Sequence, residues 1–506
     1  MPSSHSRCSH SANDPQRLLT TAVHEKETVS KKRAVSKEPA ESALIRTKPS
    51  AENADLMVSG SLAFWLKVIS IGVISLVAFE SVAVTTAMPY VVEALHGEQF
   101  YALASGISLS TQLITTALAG KWCDAKDPRH VLYAGMVAFI IGLIVATAAP
   151  TITVLIIGRG IQGLGGGLLV VPFYVMIGAY VKTSKQPAFF AAFAMAWVLP
   201  SLIGPVIAGL FVDHIHWRFV FGICPILYCG FTPLLLSKLR KFPAIHPSRP
   251  LHFPPQLVGG ACISGCMIAL LQIISGTEPS HMNGVLVAGV CAVTVVLIFS
   301  ARFLFPRGTF HFRRGVPAAV AVRMILNGTF IATELYLPLL LKEVHHWGAT
   351  QAGFVITTSS ITWALGSWLQ GRIADTRYRR LIPVVAPSVQ LVGMLLTLVA
   401  LLPHVSGWFV LIGWLIGGFG VGLIYPALAV HALALTPQEK HGKISSALSV
   451  GDTLGSSAFV AYGGILYALF YSLGNGAFAV VIGCECLIAF SAVVMAQRVG
   501  TSERAF

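Results

Sequence analysis

The chain has 506 residues, of which 55% are hydrophobic and only 11% charged, and it carries a formal net charge of +14. Such a composition excludes an ordinary soluble globular protein and points to a polytopic membrane protein. The basic residues are scattered over many short segments and form no single stripe, so the positive charge is not the footprint of a nucleic-acid-binding surface.

The first segment, residues 1–61, is rich in Ser, Lys, Glu and Ala, lacks apolar periodicity and mixes nine cations with seven acids over its first 60 residues. It is expected to be a disordered cytoplasmic tail; a regulatory or partner-binding tail is the functional alternative. No cleavable signal peptide is expected, because the first apolar run is too long and lies too far in. From there the sequence breaks into apolar runs of roughly 20 residues, long enough for a helix to cross about 30 Å of hydrocarbon. Fourteen spans are predicted: 62–92, 101–120, 131–149, 153–180, 188–210, 217–236, 256–275, 284–305, 316–341, 350–371, 381–402, 406–433, 444–470 and 475–496.

Lysine and arginine orient these spans. Alternate loops hold Lys121, Lys126 and Arg129; Lys182 and Lys185; Lys238, Arg240, Lys241 and Arg249; Arg302, Arg307, Arg313 and Arg314; Arg372, Arg377, Arg379 and Arg380; Lys440 and Lys443. The other set holds only Arg218 and Lys342. By the positive-inside rule the first set is cytoplasmic, which puts both termini inside. The cysteines are dispersed and fall mostly within spans, as structural, reduced thiols do, and no metal framework is expected.

Two of the basic segments nearly repeat each other roughly 250 residues apart. Gly120, Lys121, Asp124, Lys126 and Arg129 stand at the same offsets as Gly371, Arg372, Asp375, Arg377 and Arg380, which marks a chain built of two related halves. Further motifs follow on the predicted spans. Span 4 carries Gly158-Arg159-Gly-Ile-Gln162-Gly163-Leu-Gly165-Gly-Gly167, span 5 carries Pro200-Ser-Leu-Ile-Gly204-Pro205-Val-Ile-Ala-Gly209, and span 1 carries Glu80-Ser-Val-Ala-Val-Thr85-Thr86-Ala-Met-Pro89. In this order the motifs resemble those of the major facilitator superfamily, and specifically its fourteen-span drug/proton antiporter branch. The resemblance implies an all-α fold of two six-helix bundles, 62–240 and 315–496, facing one another across a central cavity. Between them, within 241–314, would lie an inserted helix pair, 256–275 and 284–305, with its flanking cytoplasmic loops; residues 497–506 would be a second cytoplasmic tail.

Each motif also has a physical reading. In the twin basic segments a short turn calls for glycine, and aspartate can cap a helix or accept hydrogen bonds from arginine, so Gly120, Asp124, Arg129, Gly371, Asp375 and Arg380 are candidate gating residues. Plain topological anchoring explains the cations but not the repeated Asp124 and Asp375. The first copy departs from the family pattern at Ala125 and Asp127, where a cation and a glycine are usual. The array of Gly204, Pro205 and Gly209 lets helices approach closely and bends the chain. The resemblance makes it the antiporter motif, with Pro200 where glycine is usual.

Arg159 is a permanent charge inside a span, expensive unless it faces a partner or a water-filled cavity. The corresponding stretch of the second half, Gly413-Trp414-Leu-Ile-Gly417-Gly418-Phe-Gly420-Val-Gly422, keeps the glycines but has Trp414 in place of Arg159 and Gly417 in place of Gln162. The shared glycines read as helix packing. Arg159 reads as functional, against a structural alternative of bonding backbone carbonyls, and the resemblance gives it a role in proton coupling. Four acids lie within spans: Glu80, Glu334, Asp452 and Glu485. A desolvated carboxylate can bind and release a proton near neutral pH. Arg323, Asn327 and Glu334 share a face of span 9 in a stripe ending at Tyr336 and Pro338, where Arg323 is expected either to take part in coupling or merely to neutralise Glu334. Asp452 is expected to couple protons or to pair with the first basic segment, and Glu485 has the weakest case, on a span that is peripheral by resemblance. Gln162, Asn327, Tyr336, Trp197 and Trp414 are candidate cavity residues, although Trp197 suits lipid contact equally well.

These features predict a secondary active transporter of the plasma or inner membrane, not an enzyme, that exports a lipophilic or cationic small molecule in exchange for protons by alternating access. It is expected to need no cofactor, to contact only substrate, protons and lipid, and to work as a monomer. No nucleotide-binding Gly-x-x-x-x-Gly-Lys-Ser/Thr loop occurs, which leaves proton-motive force as the energy source. A lipid exporter and a symporter or facilitator for a small nutrient are the alternative readings.

Overall fold

A computed structural model describes residues 60–182, 185–245, 253–277, 284–373, 381–437 and 441–499. The tail segments 1–59 and 500–506, and Asp375, Arg377, Arg379 and Arg380 of the second basic segment, lie outside the described residues. The described chain is helical: α1 Gly60–Ala94, α2 Tyr101–Ala125, α3 Pro128–Thr147, α4 Ile152–Gly166, α5 Val171–Tyr180, α6 Gln186–His214, α7 Arg218–Leu239, α8 Pro255–Ser275, α9 Gly284–Ala301, α10 Val316–His345, α11 Ala349–Ile373, α12 Ile382–Val399, α13 Trp408–Ala434, α14 His441–Leu469 and α15 Asn475–Ala496. The predicted span 153–180 is broken into α4 and α5, because the run Gly165-Gly-Gly167 weakens the helix and Pro172 restarts it at the first turn of α5.

Counting α4 and α5 together, twelve of these units are long and apolar enough to cross a membrane. The two that fall short in apolar character are α11 and α14, although they have 25 and 29 residues. Their extra polarity is hydroxyl-bearing and is largely satisfied within the helix: Thr358 and Ser359 donate to Val355 and Ile356 carbonyls at 2.7 and 2.8 Å, and Ser457 donates to the Thr453 carbonyl at 2.7 Å.

Helices α1–α7 pack mainly on one another, as do α10–α15. The two sets meet along two seams, α6 against α11 and α2 against α14, and α11 and α14 are the helices that face the other set. Helix α10 is the most enclosed span and has buried residues along nearly its whole length.

Glycine permits the close approach at the α6–α11 seam. A Cβ on Gly209 would lie 2.4 Å from Thr350 Cα, and one on Gly353 would lie 2.3 Å from the Pro205 carbonyl oxygen. Polar contacts then seal the end of the bundle remote from the basic segments. Asp213, at the end of α6, accepts from the Ala349 and Thr350 amides at 3.1 and 2.9 Å and from the Thr350 hydroxyl at 2.6 Å, so a carboxylate of the first half caps a helix of the second. Lys342 pairs with Glu93 at 2.5 Å, and Tyr90 donates to the Trp347 carbonyl at 2.9 Å. At the basic face, the described ion pairs stay within the first half.

The helix pair α8–α9 is no loose appendage. Helix α8 packs on both α2 and α14, and apolar side chains of α8 and α9 share one core with α10, α13, α14 and α15. Near the C-terminal end of α8 the fully buried Gln272 joins both halves: its Oε1 accepts from Ser110 of α2 at 3.0 Å, and its Nε2 donates to the Ser457 carbonyl of α14 at 3.5 Å. Gly106 leaves room for it, since a Cβ there would lie 2.3 Å from Nε2.

Gln272→Leu keeps the volume but removes both bonds while Ser110 keeps its weak fallback to the Gly106 carbonyl at 3.4 Å. A loss of about 1–2 kcal/mol is expected, read as a lower thermal midpoint of the purified protein in detergent. An unchanged midpoint would show that the inserted pair is held by apolar packing alone.

Candidate functional site

Two carboxylates from the first helix of each half meet a donor from the fourth. In the first half, Glu80 on α1 pairs with Arg159 on α4 at 2.5 Å, with both side chains almost fully buried. The guanidinium is saturated: Nη1 also donates to Gln162 Oε1 at 2.8 Å, Nη2 to Ser108 Oγ at 3.0 Å and the Ser105 carbonyl at 3.4 Å, and Nε to the Ala104 carbonyl at 3.4 Å. Gln162 is thus a buried partner of Arg159. The glycines around it pack α4 onto its neighbours: a Cβ on Gly158 would sit 2.7 Å from the Ala146 amide, and one on Gly163 would sit 2.1 Å from the Ser108 carbonyl.

In the second half, Glu334 on α10 accepts one hydrogen bond, from Trp414 Nε1 on α13 at 3.1 Å, and no cation among the described residues pairs with it. The glycine array does the same packing here, with a Cβ on Gly413 predicted 2.6 Å from the Gly393 carbonyl and one on Gly420 2.5 Å from the Gln390 amide. Gly417, standing where the first half has Gln162, faces Phe330, whose ring stacks on Trp414 at 4.4 Å and 13°.

A third carboxylate is fully compensated. Arg323 grips Asp452 through Nε and Nη2 at 3.0 and 2.7 Å, Tyr425 donates its hydroxyl to Asp452 at 2.5 Å, and the guanidinium lies 3.6 Å over the Tyr425 ring. The expected pairing of Asp452 with the first basic segment is therefore replaced by a bond within the second half, and Arg323 neutralises Asp452 rather than Glu334. The cause is side-chain direction. Arg323 and Asn327 turn toward α14, with Asn327 donating to Ser456 Oγ at 2.9 Å, whereas Glu334, three turns along α10, turns toward α13. Glu485 is buried, 1% exposed, with one carboxylate oxygen unpartnered.

The remaining candidates are placed as follows. Tyr336 and Trp414 are fully buried in this conformation, Tyr336 lying beside Tyr101, whose hydroxyl donates to the Leu335 carbonyl across the halves. Trp197 is 42% exposed. Gly204 lets α1 approach α6, since a Cβ there would lie 2.9 Å from Val82 Cγ2.

The twin basic segments differ from the expected turns. Gly120 and Asp124 lie inside α2, and Gly371 inside α11, and both glycines have open space where a Cβ would stand. Asp124 is exposed and bonded only to Lys121, at 3.3 Å. The stronger clamp is made by Asp127, the residue that departs from the family pattern. It caps α3 through the Arg129 amide at 2.9 Å and holds the Arg129 guanidinium at 2.6 Å, while Arg129 also donates to the Leu239 and Phe242 carbonyls at 3.3 and 3.1 Å. Partial burial pushes the Asp127 carboxyl up, but the bonds from Arg129 outweigh it and hold the group below the ordinary carboxylate range.

Asp213, Glu93 and Tyr90, which bond across the halves at the face remote from the basic segments, are residues that sequence reasoning missed. One signal was present: Lys342 is one of two cations on that face and needed an anion.

The sequence matches the Major Facilitator Superfamily over residues 70–460 and again over 335–504. The chain belongs to that superfamily and is a membrane transporter, not an enzyme. It is 25% identical over 395 residues to multidrug resistance protein 3 of Bacillus subtilis, covering 76% of each chain. It is 24% identical over 427 residues to a probable multidrug-efflux transporter of Mycobacterium tuberculosis, covering 81% of this chain and 86% of that one. Among solved structures, a POT family transporter in complex with 5-aminolevulinic acid aligns with a TM-score of 0.63 at 17% identity, over 86% of this chain and 96% of that one; the likeness is one of fold.

Removing one partner of a buried ion pair leaves a bare charge, at a cost of about 3–5 kcal/mol. Arg159→Met is therefore expected to lower the yield of folded protein severely, and Glu80→Gln in the same chain to restore much of it, measured by size-exclusion recovery and thermal midpoint. Equal damage in the single and double variants would mean that Arg159 is held chiefly by the carbonyls of α2.

Proposed function

We propose that the chain is a proton-coupled exporter of lipophilic organic compounds, cationic ones included, in the plasma or inner membrane. On this reading it has fourteen spans with both termini cytoplasmic, two six-helix bundles at 62–240 and 315–496, and an inserted pair within 241–314. The names of the distant multidrug relatives support export, and the twelve apolar helices plus the seam helices α11 and α14 support the span count.

One observation carries the mechanism: the unequal treatment of the two matching carboxylates. Glu80 has a permanent cation as its partner. Glu334 has only a neutral indole N–H, and a buried carboxylate charge without a cation is costly, so it carries a proton in this conformation. Glu334 is thus the proton carrier, and Arg159 with Glu80 is a fixed positioning element of the first half. The Arg323–Asp452–Tyr425 cluster, with Asn327, forms a second candidate coupling group that answers to movement of α14 against α10.

Alternating access follows from the two faces. The Asp213 cap, the Lys342–Glu93 pair and the glycine contacts of the α6–α11 seam close the face taken as external, while at the face taken as cytoplasmic the described ion pairs, Lys121 with Asp124 and Asp127 with Arg129, stay within the first half. On this reading, approach of the opposite half fills the open space over Gly120 and Gly371 when that face closes, and Asp124 leaves its local pair with Lys121 to bond across. Proton release from Glu334 accompanies the switch, and substrate takes the opposite direction.

The test is proton movement on substrate addition in proteoliposomes. Glu334→Gln is expected to abolish substrate-driven proton exchange, by 100-fold or more, on the order of what loss of an essential proton-transfer group costs, while leaving downhill substrate exchange. Proton exchange at the wild-type rate in Glu334→Gln would place the carrier elsewhere.

A further inference from the structure

The connector between α9 and α10 carries Arg302, Arg307, Arg313 and Arg314, and the described residues of 253–315 include no aspartate or glutamate. All four arginines are exposed, and none is in an ion pair among the described residues. In the first basic segment, by contrast, Asp124 and Asp127 answer Lys121 and Arg129. Topological anchoring accounts for cations in both places but not for the missing acids in one.

The connector is an ordered structure that holds these charges in place. Phe305 and Thr309 are buried, and Phe305 meets Phe310 edge-on at 5.7 Å and 81°. The Gly308 carbonyl accepts from the His311 and Arg313 amides at 3.1 and 3.2 Å, which folds the chain back on itself. Gly308 takes φ +90° and leaves room for Arg313, whose Cδ would lie 2.4 Å from a Cβ there, so Arg313 lies against the residue that follows Arg307. The Gly315 amide donates to the Arg498 carbonyl at 3.4 Å and brings a fifth exposed arginine alongside. Like charges held together repel unless an anion sits among them.

The surroundings indicate which anion. Of the 18 residues of α9 only Leu297, Ser300 and Ala301 are buried, all in its last two turns. Val285, Val295, Ile298 and Phe299 are exposed, so in a membrane this face meets acyl chains. Arg302 lies at the foot of that face, with its guanidinium 3.9 Å over the exposed Phe299 ring and 5.0 Å over Phe303. A soluble anion would use the arginines but not the apolar surface below them. A molecule with a negative head and hydrocarbon tails uses both.

We propose that the connector between α9 and α10 binds an anionic glycerophospholipid, its phosphate among Arg302, Arg307 and Arg313 and its acyl chains along the exposed face of α9. The site gives the inserted helix pair a ligand of its own, and it is independent of the direction of transport and of what is transported.

The experiment titrates the delipidated full chain in detergent with palmitoyl-oleoyl phosphatidylglycerol and with phosphatidylcholine of the same chains, and reads lipid adducts by native mass spectrometry. Phosphatidylglycerol is expected to bind at least about tenfold more tightly, because near-surface basic residues favour an anionic head. Arg302→Gln with Arg313→Gln is expected to weaken it by roughly fivefold for each arginine removed, leaving phosphatidylcholine unchanged. Arg240→Gln with Lys241→Gln, which takes the same charge from exposed residues of the first half, is expected to leave both lipids bound as in wild type. Arg302→Lys with Arg313→Lys keeps the charge and is expected to retain most of the affinity. Glycerol 3-phosphate, the head without the tails, is expected not to displace the lipid. No preference for phosphatidylglycerol, which is what arginines covered by the chain's own carboxylates would give, overturns the proposal. So does an equal loss in the Arg240 and Lys241 variant, which would mean general attraction to a basic face, or displacement by equimolar glycerol 3-phosphate, which would mean a site for free anions.

Discussion

The cost of a bare charge in a low-dielectric interior governs this molecule. A chain that places Glu80, Arg159, Arg323, Glu334, Asp452 and Glu485 inside its helices has to supply each with a partner or a proton. The packing is arranged around that need. Helix α4 presses against α2 through Gly163, which brings the Ala104 and Ser105 carbonyls and the Ser108 hydroxyl into reach of the Arg159 guanidinium. The glycine array thus does more than bring helices together: it lets backbone oxygens share a cation that Glu80 alone would leave half solvated.

The same constraint explains how related halves perform different work. With Arg159 as donor the carboxylate of the first half has a permanent cation beside it, and with Trp414 as donor that of the second half has none among the described residues. One difference between the repeats thus puts a neutral hydrogen bond where the first half has an ion pair. Gly417 in place of Gln162 completes the change, because the space left by the amide admits Phe330, which holds the indole flat. The inserted helices fit this asymmetry. Gln272, near the C-terminal end of α8, ties α2 to α14 with neutral bonds, so the halves are joined there without another charge to be compensated.

Much of this was legible in the sequence, and the limits are physical. Composition and apolar run length located the spans, because a membrane imposes one length and one chemistry on every crossing element. The comparison of repeats singled out Arg159 and Trp414 correctly as the points where the halves diverge, but not what they bind. Partner choice depends on the direction of a side chain, and that is set by helix rotation. Arg323, Asn327 and Glu334 share a helical face in sequence, yet α14 takes two of them and α13 the third. The Asp213 cap on α11 joins residues 136 and 137 positions apart, and nothing in the local sequence of either announces it. Gly120 and Gly371 misled for another reason. Glycine read as a turn residue is helical here, and the described residues leave open space where a Cβ would stand at both positions.

The seal at the face remote from the basic segments is built of contacts that cannot stretch: a helix cap, a short ion pair and backbone touching backbone at Gly209 and Gly353. Contacts of this kind are either made or lost, which suits a seam that switches between two states. The basic face, by contrast, holds its described charges in local pairs, the exposed Lys121 with Asp124, which costs little to keep, and the more buried Asp127 with Arg129. On the proposed alternating-access mechanism, closing that face exchanges the Lys121–Asp124 pair for contacts across the halves, and opening the opposite face breaks the Asp213 cap. Both exchanges then trade interactions of similar kind, which on the same proposal keeps the two conformations close in free energy and leaves the proton on Glu334 to decide between them.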